Sequence, residues 1–182
     1  MPRAERQCRA ALARAGASFA EAPPVHEPED GCRMDHPVLL SDLGDGVALE
    51  PPALLTCPMA EATARFMREE VRPAAERHLE TSPDTLVQVS AYVCRSRHGS
   101  ETISEHASGN ALDWGAIRFE DGTALDIREY GADEAAERDF FAAIREAACG
   151  PFATVLGPGT DEAHADHFHF DLAERNGGAY CR

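Results

Sequence analysis

The sequence predicts an α+β fold: a small, mainly antiparallel sheet flanked by helices. Three segments show apolar residues at helical spacing, and several short β-type segments are bounded by turn residues. These segments do not alternate as regular strand–helix units, which favours antiparallel over parallel pairing. With 182 residues, of which 43% are hydrophobic and 27% charged, the chain suits one folded domain with its own core.

Each element follows from its local pattern. The predicted helices cover residues 2–16, 58–80 and 133–148, and Pro73 is expected to kink or divide the second. The predicted strands are two short ones within 37–49 around a Gly-Asp-Gly turn, one at 85–94, a hairpin of 111–119 and 124–130, and strands at 153–157 and 167–173. The Pro-rich, acidic residues 21–36 predict an irregular connector, and residues 96–110 and 158–166 predict loops.

The charge balance excludes one large class of function. The chain has 32 acidic and 17 basic residues, a net charge of -15, whereas a general nucleic-acid binder needs a basic face. No apolar run approaches the roughly 18 residues of a membrane span. Arg14 interrupts the apolar stretch of the N-terminal segment, so we predict an amphipathic helix there rather than a signal peptide.

The six cysteines indicate the compartment. They are widely spaced, without the short gaps of a zinc ribbon or a redox motif. An even number at such spacing predicts disulfides and a location outside the cytoplasm, in the periplasm or secreted, with the leader not part of this sequence. Buried reduced thiols are the alternative, and the pairing stays open.

Two histidine-rich segments carry the candidate chemistry. In the segment His164–Asp171, a strand would place His167, His169 and Asp171 on one face and the intervening phenylalanines in the core. Two imidazoles on one polar face can bind a single metal ion. An isolated pair of this kind is more often a pair of hydrogen-bonded surface histidines.

The earlier segment, residues 104–113, strengthens the metal interpretation. His106 lies near the end of a predicted loop, and Asp113 lies in a strand whose neighbours on the same face, Ala111 and Gly115, are small. By itself Asp113 could be a capping or salt-bridged carboxylate. Together with one histidine of the last strand, however, His106 and Asp113 would form a three-ligand site with a fourth position open, which is typical of catalytic zinc.

Several motifs together resemble a known family. They are Cys94-Arg95, Ser104-x-His106-x-x-Gly109-x-Ala111-x-Asp113, residues 154–159, His164-x-x-His167-x-His169-x-Asp171 and Tyr180-Cys181-Arg182. The sequence is similar to the bacterial extensin-like C-terminal domain family from about Cys8 to Arg182. That family is related to zinc peptidases that cut peptidoglycan stem peptides, namely D-Ala-D-Ala carboxypeptidases and dipeptidases and the LAS-type murein endopeptidases.

The resemblance implies a LAS/hedgehog-like zinc peptidase fold. Residues 37–182 would form the zinc-binding, catalytic-type part of a single domain, with residues 1–36 packed on its core. One zinc ion per chain would be held by His106, Asp113 and His169, and it would activate water for attack on a peptide carbonyl.

The resemblance and the strand pattern also suggest further site residues. The base would be His167, which strand alternation favours, ahead of Asp166 and His164; Asp166 could instead orient a ligand. Arg95 resembles a clamp for a substrate carboxylate, and Arg97 and His98 are weaker candidates for the same role. Ser104 would act by hydrogen bonding in the loop.

These expectations favour a zinc-dependent peptidase acting on peptidoglycan stem peptides or cross-links. The alternative is a non-catalytic, zinc-stabilised module for cell-wall binding or interaction, because the hedgehog domain resembles this fold and keeps a zinc site without an established peptidase role. An amidase or esterase is a third possibility. The bond that is cut and the oligomeric state stay open.

Overall fold

The protein is described here by a computed structural model, which covers residues 1–97, 99–130 and 134–182. The helices are α1 (Arg3–Arg14), α2 (Cys57–Phe66), α3 (Arg72–Leu79) and α4 (Ala135–Ala148), and a π-helical segment, Met67–Val71, joins α2 to α3. The strands are β1 (Ser18–Glu21), β2 (Val25–Glu27), β3 (Cys32–Met34), β4 (Val38–Asp42), β5 (Ala48–Leu55), β6 (Pro83–Ser90), β7 (Ala111–Phe119), β8 (Ala124–Asp126), β9 (Thr154–Leu156), β10 (Phe168–Asp171) and β11 (Tyr180–Cys181).

Nine of these strands form one mixed sheet. Its order is β1-β4-β5-β6-β7-β10-β9-β11, and β8 pairs with the second half of β7 while β10 pairs with the first half. Within the described residues, only the β5–β6 and β9–β11 pairings are parallel. The predicted α+β class and the mainly antiparallel pairing are therefore confirmed, although the sheet is larger than expected.

The core lies between the sheet and the helices. Trp114 of β7 and Phe170 of β10 are fully buried and pack at 5.1 Å between ring centroids, with Phe66 of α2 against both. Phe168 packs against Phe141 of α4 in the same way. Because side chains alternate along a strand, these aromatic residues leave the intervening polar residues of β7 and β10 on the opposite face.

The N-terminal helix contributes to the same core. Leu12 of α1 has no exposed surface and belongs to the apolar cluster formed by the sheet and the other helices. A disulfide between Cys8 and Cys57 ties α1 to the start of α2. The predicted boundary at residue 36 remains a prediction.

The prediction of an irregular connector at residues 21–36 is wrong. Strands β2 and β3 form a separate hairpin there, with Val25 opposite Met34 and Glu27 opposite Cys32. Strands of three residues are too short to show alternation, and contacts distant in sequence stabilise the hairpin. Cys32 forms a disulfide with Cys94, and the Tyr92 hydroxyl donates to Glu27 at 2.6 Å.

Other predicted elements differ from the structure mainly at their ends. The π-helical segment precedes Pro73, which cannot donate to a carbonyl in the preceding turn, so the helix is divided as predicted. Strand β6 ends at Ser90 rather than at 94. Strand β8 ends at Asp126, whose side chain accepts a hydrogen bond from the backbone of Arg128 and starts a 3-10 turn. Residue 133, at the start of a predicted helix, lies outside the described residues.

All six cysteines are paired, as the sequence predicted. The third disulfide joins Cys149, just after α4, to Cys181 in β11. Three disulfides are compatible with a location outside the cytoplasm. Among the described residues, we find no helix that combines the length and the apolar character needed to cross a membrane.

Candidate metal centre

His106 is positioned by a short 3-10 turn, Glu105–Ser108. The Ser104 hydroxyl accepts a hydrogen bond from the backbone of His106 at 3.3 Å, and Gly109 ends the turn at a φ of 66°. The carbonyl of Ala91 lies 2.6 Å from Nδ1 of His106. Because a carbonyl can only accept, His106 carries its proton on Nδ1, and Nε2 is the atom that faces the site.

Asp113 and His169 lie directly opposite each other on adjacent strands. Asp113 is in β7 and His169 in β10, and the register of the two strands pairs these residues. Both point to the face away from the aromatic core. Asp113 Oδ1 lies 2.8 Å from His169 Nδ1, and each residue exposes less than a tenth of its surface.

Three ligand-type atoms converge at this point. His106 Nε2 lies 3.2 Å from His169 Nδ1 and 3.2 Å from Asp113 Oδ1, so the three atoms form a nearly equilateral triangle. A tetrahedral zinc ion with bonds of about 2.0 to 2.1 Å holds its ligand atoms about 3.3 Å apart. The spacing, the N/N/O donor set and the burial therefore fit a zinc ion, and a tetrahedral ion bound to these atoms would keep one further position.

Asp171 contacts the side of the His169 imidazole that faces away from the triangle. Its Oδ2 lies 3.0 Å from Nε2 of His169, and its Oδ1 accepts from the backbone of Ala173. A proton held on Nε2 by Asp171 leaves Nδ1 to face Asp113 and His106. This arrangement of carboxylate and imidazole is common around protein-bound zinc.

The buried charges shift one another's pKa. Burial alone would lower the pKa of His169, but hydrogen bonds with Asp113 and Asp171 outweigh it and raise the pKa to about 9. Burial would likewise raise the pKa of Asp113, yet hydrogen bonds with His106 and His169 hold it well below its usual value. A metal ion that binds His169 must therefore displace a proton.

The predicted bases lie at the edge of this cluster. His167 immediately precedes β10, and its Nε2 is 3.6 Å from Asp113 Oδ2 while its Nδ1 is 2.9 Å from the exposed Asp166. The His167 hydrogen bond lowers the pKa of Asp166. His164 lies in a 3-10 turn, with its ring centroid 5.7 Å from that of His169, and its Nδ1 is 2.6 Å from Asp161.

An open pocket of about 950 Å³ lies over the cluster. Arg95 is exposed at its edge, whereas the neighbouring Arg97 is 3.4 Å from Glu105. Ser104 also lines the pocket, although its hydroxyl already accepts from the His106 backbone. His98 lies outside the described residues.

Sequence reasoning missed several residues at this site. Asp161, Thr154, Arg175 and Tyr180 line the pocket, and the Ala91 carbonyl holds His106. The Asp-x-x-His spacing of Asp161 could have been found, because Asp161 caps the turn that holds His164. Thr154 and Tyr180 lie in segments that carry the family resemblance but show no metal-ligand pattern, and Arg175 lies outside those segments. The structure brings His106, Asp113 and His169 together, and their role as metal ligands remains a prediction.

Comparison with known families supports the resemblance seen in the sequence. A family described as the extensin-like protein C-terminus matches residues 6–182. The chain belongs to this family. No curated protein and no solved structure gives a significant match. The matched region of the extensin-like family contains all six cysteines and both histidine-rich segments. Because the family's description names no reaction, the reaction has to be inferred from the site.

Proposed function

We propose that this extensin-like protein is a zinc-dependent peptidase that hydrolyses peptide bonds of peptidoglycan outside the cytoplasm. The observation that carries the proposal is the triangle of His106 Nε2, Asp113 Oδ1 and His169 Nδ1 beneath an open pocket. Three protein ligands with one open position are typical of catalytic zinc, whereas structural zinc is enclosed by four. The resemblance to the LAS-type peptidases supports the same reaction.

His106, Asp113 and His169 would hold the ion. Zinc at such a site supplies an activated water at neutral pH and polarises a carbonyl oxygen. Hydrolysis then forms a bond from the water oxygen to the carbonyl carbon and breaks the bond from that carbon to nitrogen. Both water protons end on the leaving amine, one of them carried there by the base, and the other product is a carboxylate.

His167 is placed to move that proton. Asp166 accepts from Nδ1 of His167, so Nε2 is free to take a proton beside Asp113 and to return it to the leaving nitrogen. Asp166 itself is exposed and faces His167, which favours an orienting role over that of the base. Besides the proposed ligands and His167, the pocket is lined by His164, which Asp161 orients and which could stabilise developing negative charge.

Arg95 is the proposed substrate clamp. It lines the pocket, and its backbone carbonyl accepts from Ser104 beside the turn of His106. A guanidinium there can bind a carboxylate of the peptide through two parallel hydrogen bonds. Local positive charge is needed because the chain as a whole repels an anionic substrate.

The test is a digest of purified peptidoglycan with zinc-loaded protein, read by mass spectrometry of the released muropeptides. We expect loss of D-Ala or of a cross-link, abolished by a chelator. His167→Gln should keep its zinc and lower turnover by about 100-fold or more, which is the usual contribution of a base. His26→Gln, a change in an exposed histidine of β2, should match the unchanged protein.

Absence of any product from a protein with one zinc per chain would overturn the proposed reaction. Binding of that protein to intact cell-wall sacculi would then favour the non-catalytic wall-binding module. Hydrolysis of an ester or of a side-chain amide in place of a stem-peptide bond would favour the third possibility.

A further inference from the structure

The pocket extends to both sides of the candidate metal centre. Residues of β7, β10, β9 and β11 line it in that spatial order, with Asp113 on β7 and His169 on β10, and β6 adjoins β7. Arg95 follows β6 on one side. On the other side, the pocket is lined by Thr154 of β9 and Tyr180 of β11. A substrate bound at the centre can therefore continue in both directions.

Arg175 is held in place on this second side. Its Nε and Nη2 contact the Thr154 hydroxyl at 3.1 and 2.6 Å, and its guanidinium carbon lies 5.4 Å from the ring centre of Tyr180. Stacking on an aromatic ring and bonding to a buried hydroxyl fix the orientation of the guanidinium. The remaining nitrogen, Nη1, takes no part in these hydrogen bonds and can bind a ligand.

Neither Arg95 nor Arg175 forms an ion pair with an acidic side chain among the described residues. By contrast, Arg97, the other arginine at the pocket, pairs with Glu105. In a chain with nearly twice as many acidic as basic residues, a fixed guanidinium without a carboxylate partner at a pocket wall is suited to a carboxylate from outside.

The separation of the two sides suits a short peptide. Arg95 lies five residues beyond the end of β6, and Arg175 contacts Thr154 of β9. Three strand spacings of about 4.8 Å separate these two strands, a distance of about 14 Å in the sheet. An extended peptide advances about 3.3 Å per residue, so about four residues span this distance across the metal centre. A substrate trimmed only at its chain end has a single residue on one side of the scissile bond, so it spans less of this distance than a peptide that continues on both sides.

We propose that Arg175, stacked on Tyr180, binds a second carboxylate of the substrate, on the opposite side of the scissile bond from Arg95. The substrate class is then a peptide with acidic groups on both sides of the bond, such as a cross-linked pair of stem peptides. This inference rests on the proposed function and narrows it from chain-end trimming to cleavage of cross-links.

Arg175 could instead act only by positioning. Thr154, which it contacts, also bonds the side chain of Asp171, and Asp171 holds the imidazole of His169. In that case, loss of Arg175 would weaken zinc binding and would slow every substrate alike. Substrate preference and zinc affinity therefore separate the two roles.

The experiment compares the zinc-loaded protein with its Arg175→Gln variant on two probes, a cross-linked muropeptide dimer and an uncross-linked pentapeptide monomer. The matched control is Arg138→Gln, the same change at an exposed arginine of α4 outside the pocket. We expect Arg175→Gln to lower kcat/KM for the dimer by about tenfold, mainly through a higher KM. The kcat/KM for the monomer and the affinity for zinc should stay unchanged. Arg175→Lys, which keeps the charge, should recover part of the loss.

An equal loss of kcat/KM on both probes, together with weaker zinc binding, would overturn the proposal in favour of a positioning role. An unchanged kcat/KM on both probes would overturn it outright. If the unchanged protein cleaves neither probe, the proposed reaction fails, and binding of the dimer measured by calorimetry tests Arg175 separately. A tenfold weaker affinity in Arg175→Gln but not in Arg138→Gln supports the carboxylate site, and equal affinities reject it.

Discussion

Substitution of His169 by glutamine tests the ligand assignment most directly. His169 Nδ1 is one corner of the triangle, within 3.2 Å of the other two ligand-type atoms, whereas His167 Nε2 is 3.6 Å from the second oxygen of Asp113. His167→Gln is therefore the matched comparison. Glutamine keeps hydrogen-bond donors for the carboxylates around position 169 but is a poor substitute for an imidazole at zinc.

The magnitude follows from the number of ligands. Structural sites with four protein ligands bind zinc with a free energy of about 10 to 16 kcal/mol, or about 3 kcal/mol for each ligand. Loss of one ligand should therefore weaken zinc binding by about 100-fold or more. We expect this loss of zinc affinity in His169→Gln, whereas the zinc affinity of His167→Gln should change by less than about tenfold.

The assay is competition for zinc against a chromophoric chelator at constant pH, with circular dichroism to check that both variants are folded. If His167→Gln lost the metal and His169→Gln retained it, the ligand and the base would have been exchanged. Unchanged affinity in both variants would refute the assignment of the triangle as a metal site.

Three further predictions concern the surroundings of the triangle. Asp171→Asn should weaken zinc binding by about 10- to 100-fold in the same competition assay, because His169 loses the carboxylate that orients it; unchanged affinity would argue against that role. In the metal-free protein, the raised pKa of His169 adds to the free energy of unfolding, and this contribution is complete below about pH 6.5. This contribution, about 3 kcal/mol at most, should disappear as the pH rises through 9, and urea unfolding at a series of pH values should show no such loss in His169→Gln. Gly109→Ala should destabilise the fold by about 1 to 3 kcal/mol in urea titrations, since its φ is positive and a Cβ would lie 2.1 Å from Met34 Sδ; an unaltered midpoint would contradict this packing.

Local patterns predicted most elements that build the site. Alternation along β10 correctly assigned Phe168 and Phe170 to the core and His169 to the opposite face, and along β7 it placed Asp113 on the face of Ala111 and Gly115. Local patterns failed where an element depends on a distant partner. The hairpin of β2 and β3 was missed because the disulfide from Cys32 to Cys94 and the packing of Met34 on Gly109 hold it, and neither leaves a local signal.

The sequence by itself determined the fold class, the presence of disulfides and the candidate metal ligands. It did so because amphipathic periodicity, cysteine spacing and residue chemistry are all properties of short segments. Only the tertiary structure decided which cysteines pair and that His169, rather than His167, lies opposite Asp113. It also placed the Ala91 carbonyl behind His106, and Arg175 across the pocket from Arg95. These relations join segments far apart in the chain, so they depend on strand order and register rather than on any local pattern.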